Sequence, residues 1–258
     1  CRYLHVPAQS GSNAVLDRMN RGYTVEQYLE FIERARAILD EPEKGRPLTI
    51  AGDIIAGFCG ETQADHDATA ELLRRVRYKN CFIFRYSPRP GTVAFDRITD
   101  DVPDQVKRDR CNELLAIQHE ISDELSRSHV GMTLDIFIEG GSAHERKRRS
   151  RAAGASTNAG LIPVTLGGAS LGTPSESEGA SAAADACRTT DPSPLPVGRG
   201  SDDADAGAPI QLTGRTDGDL IVVFDCPEGR SPDSLIGVIH PVRITGANVL
   251  TMFGELRA

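Results

Sequence analysis

The chain has 258 residues, a formal net charge of −8 at pH 7 and a 39% hydrophobic share. That length suits one large domain or two modest ones with a real core. No apolar run approaches the ~18–20 residues of a membrane span and no signal peptide opens the chain, so a soluble, cytoplasmic protein is expected; the acidic balance taken alone argues against a nucleic-acid partner.

The first hundred residues alternate strand and helix signals. Leu4-His5-Val6 reads as a short strand, and the small-residue turn Gln9-Ser10-Gly11-Ser12-Asn13 leads into a short helix. Thr24 with Gln27 three residues on forms a capping box, and Tyr28, Ile32, Ala35 and Leu39 recur at helical spacing. Pro42 and Gly45 end that helix. Residues 48–55 read as a strand apolar on both faces, as in a parallel sheet covered by helices. Thr62 then caps a helix carrying Ala68, Leu72, Leu73 and Val76, and residues 80–86 form a third strand. Strand, helix, strand, helix, strand predicts a parallel sheet or part of a (β/α) barrel. Residues 103–128 follow as one long amphipathic helix with Leu114, Ile117, Ile121 and Leu125 on its buried face, closed by Gly131.

Beyond it the period changes to two. Leu134, Ile136 and Ile138 alternate, and 210–216, 219–224, 236–245 and 248–256 read as short strands, with Asp217-Gly218 a tight-turn signal. Strands at this spacing predict a small antiparallel barrel. Between them, about 142–208, lies a segment that opens on the basic run Arg146-Lys147-Arg148-Arg149-Ser150-Arg151, turns to Ala, Gly, Ser, Thr and Pro, and ends acidic at Asp202, Asp203 and Asp205. It has too little apolar surface to offset its ordering entropy and is expected to be a disordered insertion. Its basic start is either a nucleic-acid contact or a solvated tail.

Six cysteines (1, 59, 81, 111, 187, 226) form no CxxC pair and no cluster spacing, as expected of reduced thiols in a cytosolic protein. A chain opening on Cys1 rather than Met is expected to lack its natural start.

In a (β/α) barrel, function collects at the C-terminal ends of the strands. Three polar, glycine-bearing turns fall there: Gln9-Ser10-Gly11-Ser12, Gly57-Phe58-Cys59-Gly60-Glu61-Thr62 and Ser87-Pro88-Arg89-Pro90-Gly91-Thr92. Each alone is an ordinary connection. Together on one face they suit a polar, zwitterionic, nucleoside-like ligand, with Arg89 available for a carboxylate. His5 reads either as a proton donor or ligand contact, or as a satisfied structural group.

Leu4-His5-Val6-Pro7-Ala8-Gln9-Ser10-Gly11-Ser12 with Arg18-Met19-Asn20-Arg21-Gly22-Tyr23-Thr24 resembles the methylthiotransferase family of radical S-adenosylmethionine (SAM) enzymes. Asp53-Ile54-Ile55-Ala56-Gly57-Phe58-Cys59-Gly60-Glu61-Thr62 and Tyr86-Ser87-Pro88-Arg89-Pro90-Gly91-Thr92 do so too, in the family's order and separation. Gln211-Leu212-Thr213-Gly214-Arg215-Thr216-Asp217-Gly218 and Gly254-Glu255-Leu256 resemble that family's TRAM domain, a small RNA-binding β-barrel. The likeness covers about 1–141 and 209–258. Within the family, Met19-Asn20-Arg21-Gly22-Tyr23-Thr24 and Arg89-Pro90-Gly91-Thr92 look most like the branch of tRNA-2-methylthio-N6-dimethylallyladenosine synthases. Sister branches acting on threonylcarbamoyladenosine in tRNA or on a ribosomal protein stay open, as does an RNA-binding module alone.

The resemblance implies an α/β fold: the C-terminal half of a partial radical SAM barrel (1–100), a connecting helix (101–131) and a TRAM-like barrel (132–258) carrying the insertion. It implies methylthiolation at C2 of an isopentenyladenosine beside the tRNA anticodon. The cofactors are SAM and 4Fe–4S clusters, with a sulfur donor as a further partner and no membrane. Gln9, Ser10, Gly11 and Ser12 would lie near SAM; Asp53, Gly57 and Glu61 would line its methionine and ribose; Phe84, Tyr86, Ser87 and Arg89 its adenine or carboxylate. Arg215 would meet RNA; the basic run Arg146, Lys147, Arg148 and Arg149 lies outside the resemblance and is a candidate RNA contact by its charge alone. Two departures stand out. The family's CxxxCxxC cluster motif is absent, so the cluster ligands lie outside this chain and the 258 residues alone are expected to be inactive. Cys59 takes the place of a usual proline and is not read as a ligand.

Overall fold

The structure, a computed structural model, describes residues 1–157 and 209–257, with side chains described outside 151–157. Strands β1 (Tyr3–His5), β2 (Thr49–Ala56) and β3 (Asn80–Arg85) form a parallel sheet in the order β1-β2-β3. Helices α1 (Asn13–Arg18) and α2 (Val25–Leu39) connect the first pair and α3 (Gln63–Val76) the second. The short α4 (Val93–Arg97) and the 25-residue α5 (Asp104–Ser128) follow β3.

The local signals operate as expected. Thr24 and Gln27 close a reciprocal capping box on α2, and Thr62 does the same with Asp65 on α3. The chain leaves α2 at Leu39, makes a 3-10 turn at Pro42–Lys44 and reverses at Gly45, φ 67°. On α5, Cys111, Leu114, Ile117 and Ile121 are buried. They join Tyr28, Ile32, Ile50, Ile54, Leu73, Val76 and Ile83 in one core cluster. The helix ends at Ser128 with His129 as its cap; Gly131, expected to close it, instead takes φ 91° and donates its N–H to the Ile244 carbonyl.

β2 reads as apolar on both faces, yet the described helices cover only one. Ile50, Ile54 and Ile83 point into the core. The register pairs His5 with Ala51, Asp53 with Phe82 and Ile55 with Phe84, so these six share the opposite face, where Phe82 is 51% exposed.

The second unit is a closed five-strand barrel. Its strands are β4 (Thr133–Gly141), β5 (Gln211–Arg215), β6 (Ile221–Asp225), β7 (Ile239–Ala247) and β8 (Thr251–Leu256), ordered β4-β5-β6-β8-β7. Leu134, Ile136, Ile138, Leu212, Val222, Phe224, Val242, Ile244 and Met252 fill it. The expected purely antiparallel barrel needs one correction: β6 and β8 run parallel. An odd number of strands cannot alternate direction all the way round a closed ring, so one neighbouring pair must agree.

The expected disordered insertion at 142–208 also needs correcting at its start. Ala143–Thr157 is helix α6. Ser142 caps it by accepting the Glu145 N–H at 3.1 Å, and Glu145 pairs with Arg148 and Arg149, each at 2.9 Å. A cap plus i,i+3 and i,i+4 pairs among strong helix formers decide the local state, which a composition argument overlooks. Residues 158–208 of that expectation lie outside the described residues.

The β5–β6 turn docks the barrel beneath the N-terminal ends of the sheet. The Arg2 N–H donates to the Asp217 carbonyl at 2.8 Å, Thr49 Oγ1 to the Gly218 carbonyl, and Lys79 Nζ pairs with Asp219 at 3.0 Å. All three strands are thereby seated on one turn, and their C-terminal ends point away from the barrel.

Candidate functional site

The three turns at those C-terminal ends differ in what they offer. In the first, Gln9 sits at φ 68°, a left-handed conformation unusual for a residue other than glycine. Its backbone holds it there: its N–H donates to the Asp53 carbonyl at 2.8 Å and its own carbonyl accepts from Ile55 at 2.9 Å. Strain of this kind persists where surrounding structure over-determines it, often at functional sites. Ser10, Gly11 and Ser12 turn inward. The Gly11 N–H donates to Thr69 Oγ1 at 2.9 Å, Ser10 Oγ lies 3.3 Å from the same hydroxyl, and Ser12 Oγ donates to Asp65 at 2.5 Å. A Cβ on Gly11 would fall 2.6 Å from the Thr69 Cα, so only glycine lets the turn rest on α3.

The second turn is held from below. Gly57 (φ 75°) donates its N–H to both carboxylate oxygens of Glu61, at 3.0 and 3.1 Å, and Arg110 Nη1 donates to Glu61 at 2.9 Å. Burial raises the Glu61 carboxyl above the usual carboxylate range, outweighing those donors. Lys107, buried on α5, places its ammonium 2.6 Å from both Asp100 oxygens and 5.3 Å from the centre of the Tyr86 ring. Tyr86 meets Phe58 edge-on at 4.8 Å and packs against the cluster that holds Cys59, which is wholly buried. Cys59 is therefore a packing group under the turn.

The third turn is open. Ser87 and Arg89 are exposed, and the Arg89 carbonyl accepts from Thr92 Oγ1 at 2.8 Å as Thr92 caps α4. Below it, on the uncovered face, His5 Nε2 lies 3.1 Å from Asp53 Oδ1 and the His5 ring 6.2 Å from Phe82.

The sequence-predicted residues thus fall into two groups. Asp53, Phe84, Ser87 and Arg89 line the open face and its rim, with His5 beside Asp53, whereas Gln9 is buried and Tyr86 packs beneath the second turn. Ser10, Gly11, Ser12, Gly57 and Glu61 lie behind it as supports. The sequence reading missed Thr69, Lys107 and Arg110. Lys107 and Arg110 carry a signal, two cations on the stripe that also holds Cys111 and Leu114, which is anomalous unless each has a buried partner. Among the described residues no group of three or more His, Cys, Asp or Glu is placed to hold a metal.

The RNA-directed residues also divide. Arg215 is engaged by Asp219 and by Glu139 at 3.3 Å. Arg148 and Arg149 pair with Glu145, while Arg146 and Lys147 are exposed.

A parallel β/α sheet carrying a turn-lined open face, joined end-on to a closed five-strand barrel, defines the class of chain. No protein-family profile matches it. It is 49% identical over 138 residues to the tRNA-2-methylthio-N(6)-dimethylallyladenosine synthase of Rhodopirellula baltica, covering 54% of this chain and 28% of that protein. To the protein of the same name in Chloroherpeton thalassium it is 47% identical over 150 residues, 58% of this chain and 31% of that one. A third, from Chlorobium phaeobacteroides, matches at 34% over 256 residues, 99% of this chain and 41% of the relative. The chain is thus similar, over part of their length, to proteins named tRNA-2-methylthio-N(6)-dimethylallyladenosine synthase, and it spans less than half the length of these relatives.

Proposed function

We propose that this chain supplies the SAM-facing half-barrel and the RNA-binding barrel of a tRNA methylthiotransferase acting at C2 of N6-isopentenyladenosine. Residues 1–100 are the C-terminal part of a radical SAM barrel, 101–131 the connecting helix, and 132–258 a TRAM-like barrel. The observation that carries the reading is the open inner face of the sheet, rimmed by turns at the C-terminal ends of three consecutive strands. A relative 34% identical over 99% of this chain bears the synthase name.

The residues present fit SAM. Arg89 forms no ion pair among the described residues and suits the methionine carboxylate. Asp53 suits the ribose hydroxyls or the ammonium, and Phe84, 36% exposed, offers a ring face to adenine. Glu61 and the Ser10–Ser12 turn act as positioning groups behind these. When bound to a 4Fe–4S cluster whose ligands lie outside this chain, SAM supplies the radical that removes hydrogen from the nucleoside, and a sulfur donor completes the partners. Among the described residues no helix is long and apolar enough to cross a membrane. The closed barrel with its own core supports a narrower second reading, RNA binding without catalysis.

The test is calorimetric titration of SAM into the cluster-reconstituted protein that carries these residues. Arg89→Ala and Asp53→Ala each weaken binding about tenfold or more, the loss expected for one charge-assisted contact. Unchanged affinity in both sinks the assignment of this face.

A further inference from the structure

The helix α6 is the feature that the functional reading does not absorb. It leaves the barrel at the end of β4, and its first turn is fastened there. Ser142 donates from its backbone to the Gln211 carbonyl and from its hydroxyl to Gln211 Oε1, both at 2.9 Å. Glu145 is only 2% exposed, yet Arg148 and Arg149 hold its carboxyl below the usual range against the opposing effect of burial. Gly141 lets Glu145 come close, since a Cβ there would lie 3.2 Å from Glu145 Cγ. The helix is therefore anchored to the barrel at its start.

That anchoring sorts the basic run. Arg148 and Arg149 face the buried acid. Ala143, Arg146, Lys147 and Ser150, spaced i, i+3, i+4 and i+7, line one exposed surface. Neither the Arg146 nor the Lys147 side chain forms an ion pair or hydrogen bond with a described residue, and the neighbours on their face are small. Two outward cations flanked by Ala and Ser form a face that a phosphate backbone can approach closely.

Position adds to this. β4 begins beside the sheet unit, where the Thr133 carbonyl lies against Gly45, and runs nine residues to Gly141. At the rise of an extended strand that places α6 about 27 Å from the sheet junction. The turns of the candidate site point away from the same junction in the other direction. Among the described residues, α6 and the site thus lie on opposite sides of that junction.

We infer that Arg146 and Lys147 of α6 form a phosphate-binding anchor for RNA remote from the reacting base, serving affinity rather than chemistry. The inference rests on the tRNA reading above and deepens it. The contact is electrostatic and indifferent to base sequence, so its signature is the salt dependence of binding.

The experiment is tRNA binding by the 258-residue chain, followed by fluorescence anisotropy across a monovalent salt series, for the wild type and for Arg146→Gln/Lys147→Gln. Far-UV circular dichroism confirms that the variant folds. The double variant is expected to lower the slope of log K against log salt by roughly one to two, and affinity at ~0.1 M salt by roughly one to two powers of ten. A wild type that binds tRNA with salt dependence, beside a double variant with the same slope, overturns the α6 anchor and leaves the tRNA reading standing. A wild type that does not bind tRNA overturns both. Binding of the wild type to vesicles of anionic phospholipid that exceeds its binding to tRNA, and that is lost in the double variant, assigns the surface to a membrane and overturns the RNA anchor.

Discussion

Arg110→Ala should unfold the second turn and destabilise the chain by about 3–5 kcal/mol near neutral pH. Arg110 is 8% exposed and Glu61 6%, so removing the guanidinium leaves a carboxylate buried without its cation. Arg110 also donates to the Glu61 carbonyl at 2.9 Å, and that acceptor loses its partner as well. The defect carries a pH signature. Burial already raises the Glu61 carboxyl, so the folded state holds its proton more tightly than the unfolded state. Such a group favours folding most in acid, and that contribution is lost as pH rises through the folded value. Without Arg110 the upward shift grows, so the variant's deficit is smallest in mild acid and largest at neutral pH. Urea denaturation of wild type and variant from pH 5 to 8 reads this out. A deficit independent of pH would mean that Glu61 is not the group left exposed to the loss. The neutral pair Glu61→Gln/Arg110→Met should recover much of the stability, because a buried ion pair is costly to break but replaceable.

The second large effect comes from a single methyl. Gly11→Ala drives a Cβ to 2.6 Å from the Thr69 Cα, where backbone meets backbone and no rotamer offers relief. The turn must lift off α3, and with it go the Thr69 hydrogen bonds to Ser10 and Gly11 and the Ser12–Asp65 contact. A loss of about 2–3 kcal/mol is expected, the upper part of the overpacking range. Gly22→Ala is the control, since nothing lies within 4 Å of a Cβ there, and it should leave the urea midpoint nearly unchanged. Equal midpoints for the two variants would show that the turn does not rest on α3.

Much of the fold is legible in the sequence where local rules decide it. Thr24 with Gln27 and Thr62 with its neighbours specify helix starts by side-chain reach alone, and Leu134, Ile136 and Ile138 specify a half-buried strand by period two. The three turns are legible as a candidate site because topology puts the strand ends on one face. What is not legible is direction. Nothing in Ser10-Gly11-Ser12 or in Glu61 says that these groups point toward α3 and α5 instead of a ligand, because that depends on Thr69 and Arg110, which are 58 and 49 residues away from Gly11 and Glu61. The His5–Asp53 pair is hidden for the same reason, emerging only from the β1–β2 register. α6 escapes a composition argument because its stability lies in specific pairs, Glu145 with Arg148 and Arg149, and not in apolar area. The parallel β6–β8 pair follows from the count of strands around the ring, which single-strand patterns do not contain.

A buried frame of Thr69, Glu61, Lys107 and Arg110 fixes the first two turns, and the turns border the open face. Nucleoside mass spectrometry of tRNA bearing N6-isopentenyladenosine reads the proposed reaction itself. The tRNA is incubated anaerobically with SAM, a reductant, a sulfur source and the cluster-reconstituted protein that carries these 258 residues. The expected product is the 2-methylthio nucleoside, reduced at least tenfold by Asp53→Ala. Unmodified tRNA from the wild-type protein with intact clusters, or full activity in Asp53→Ala, would contradict it.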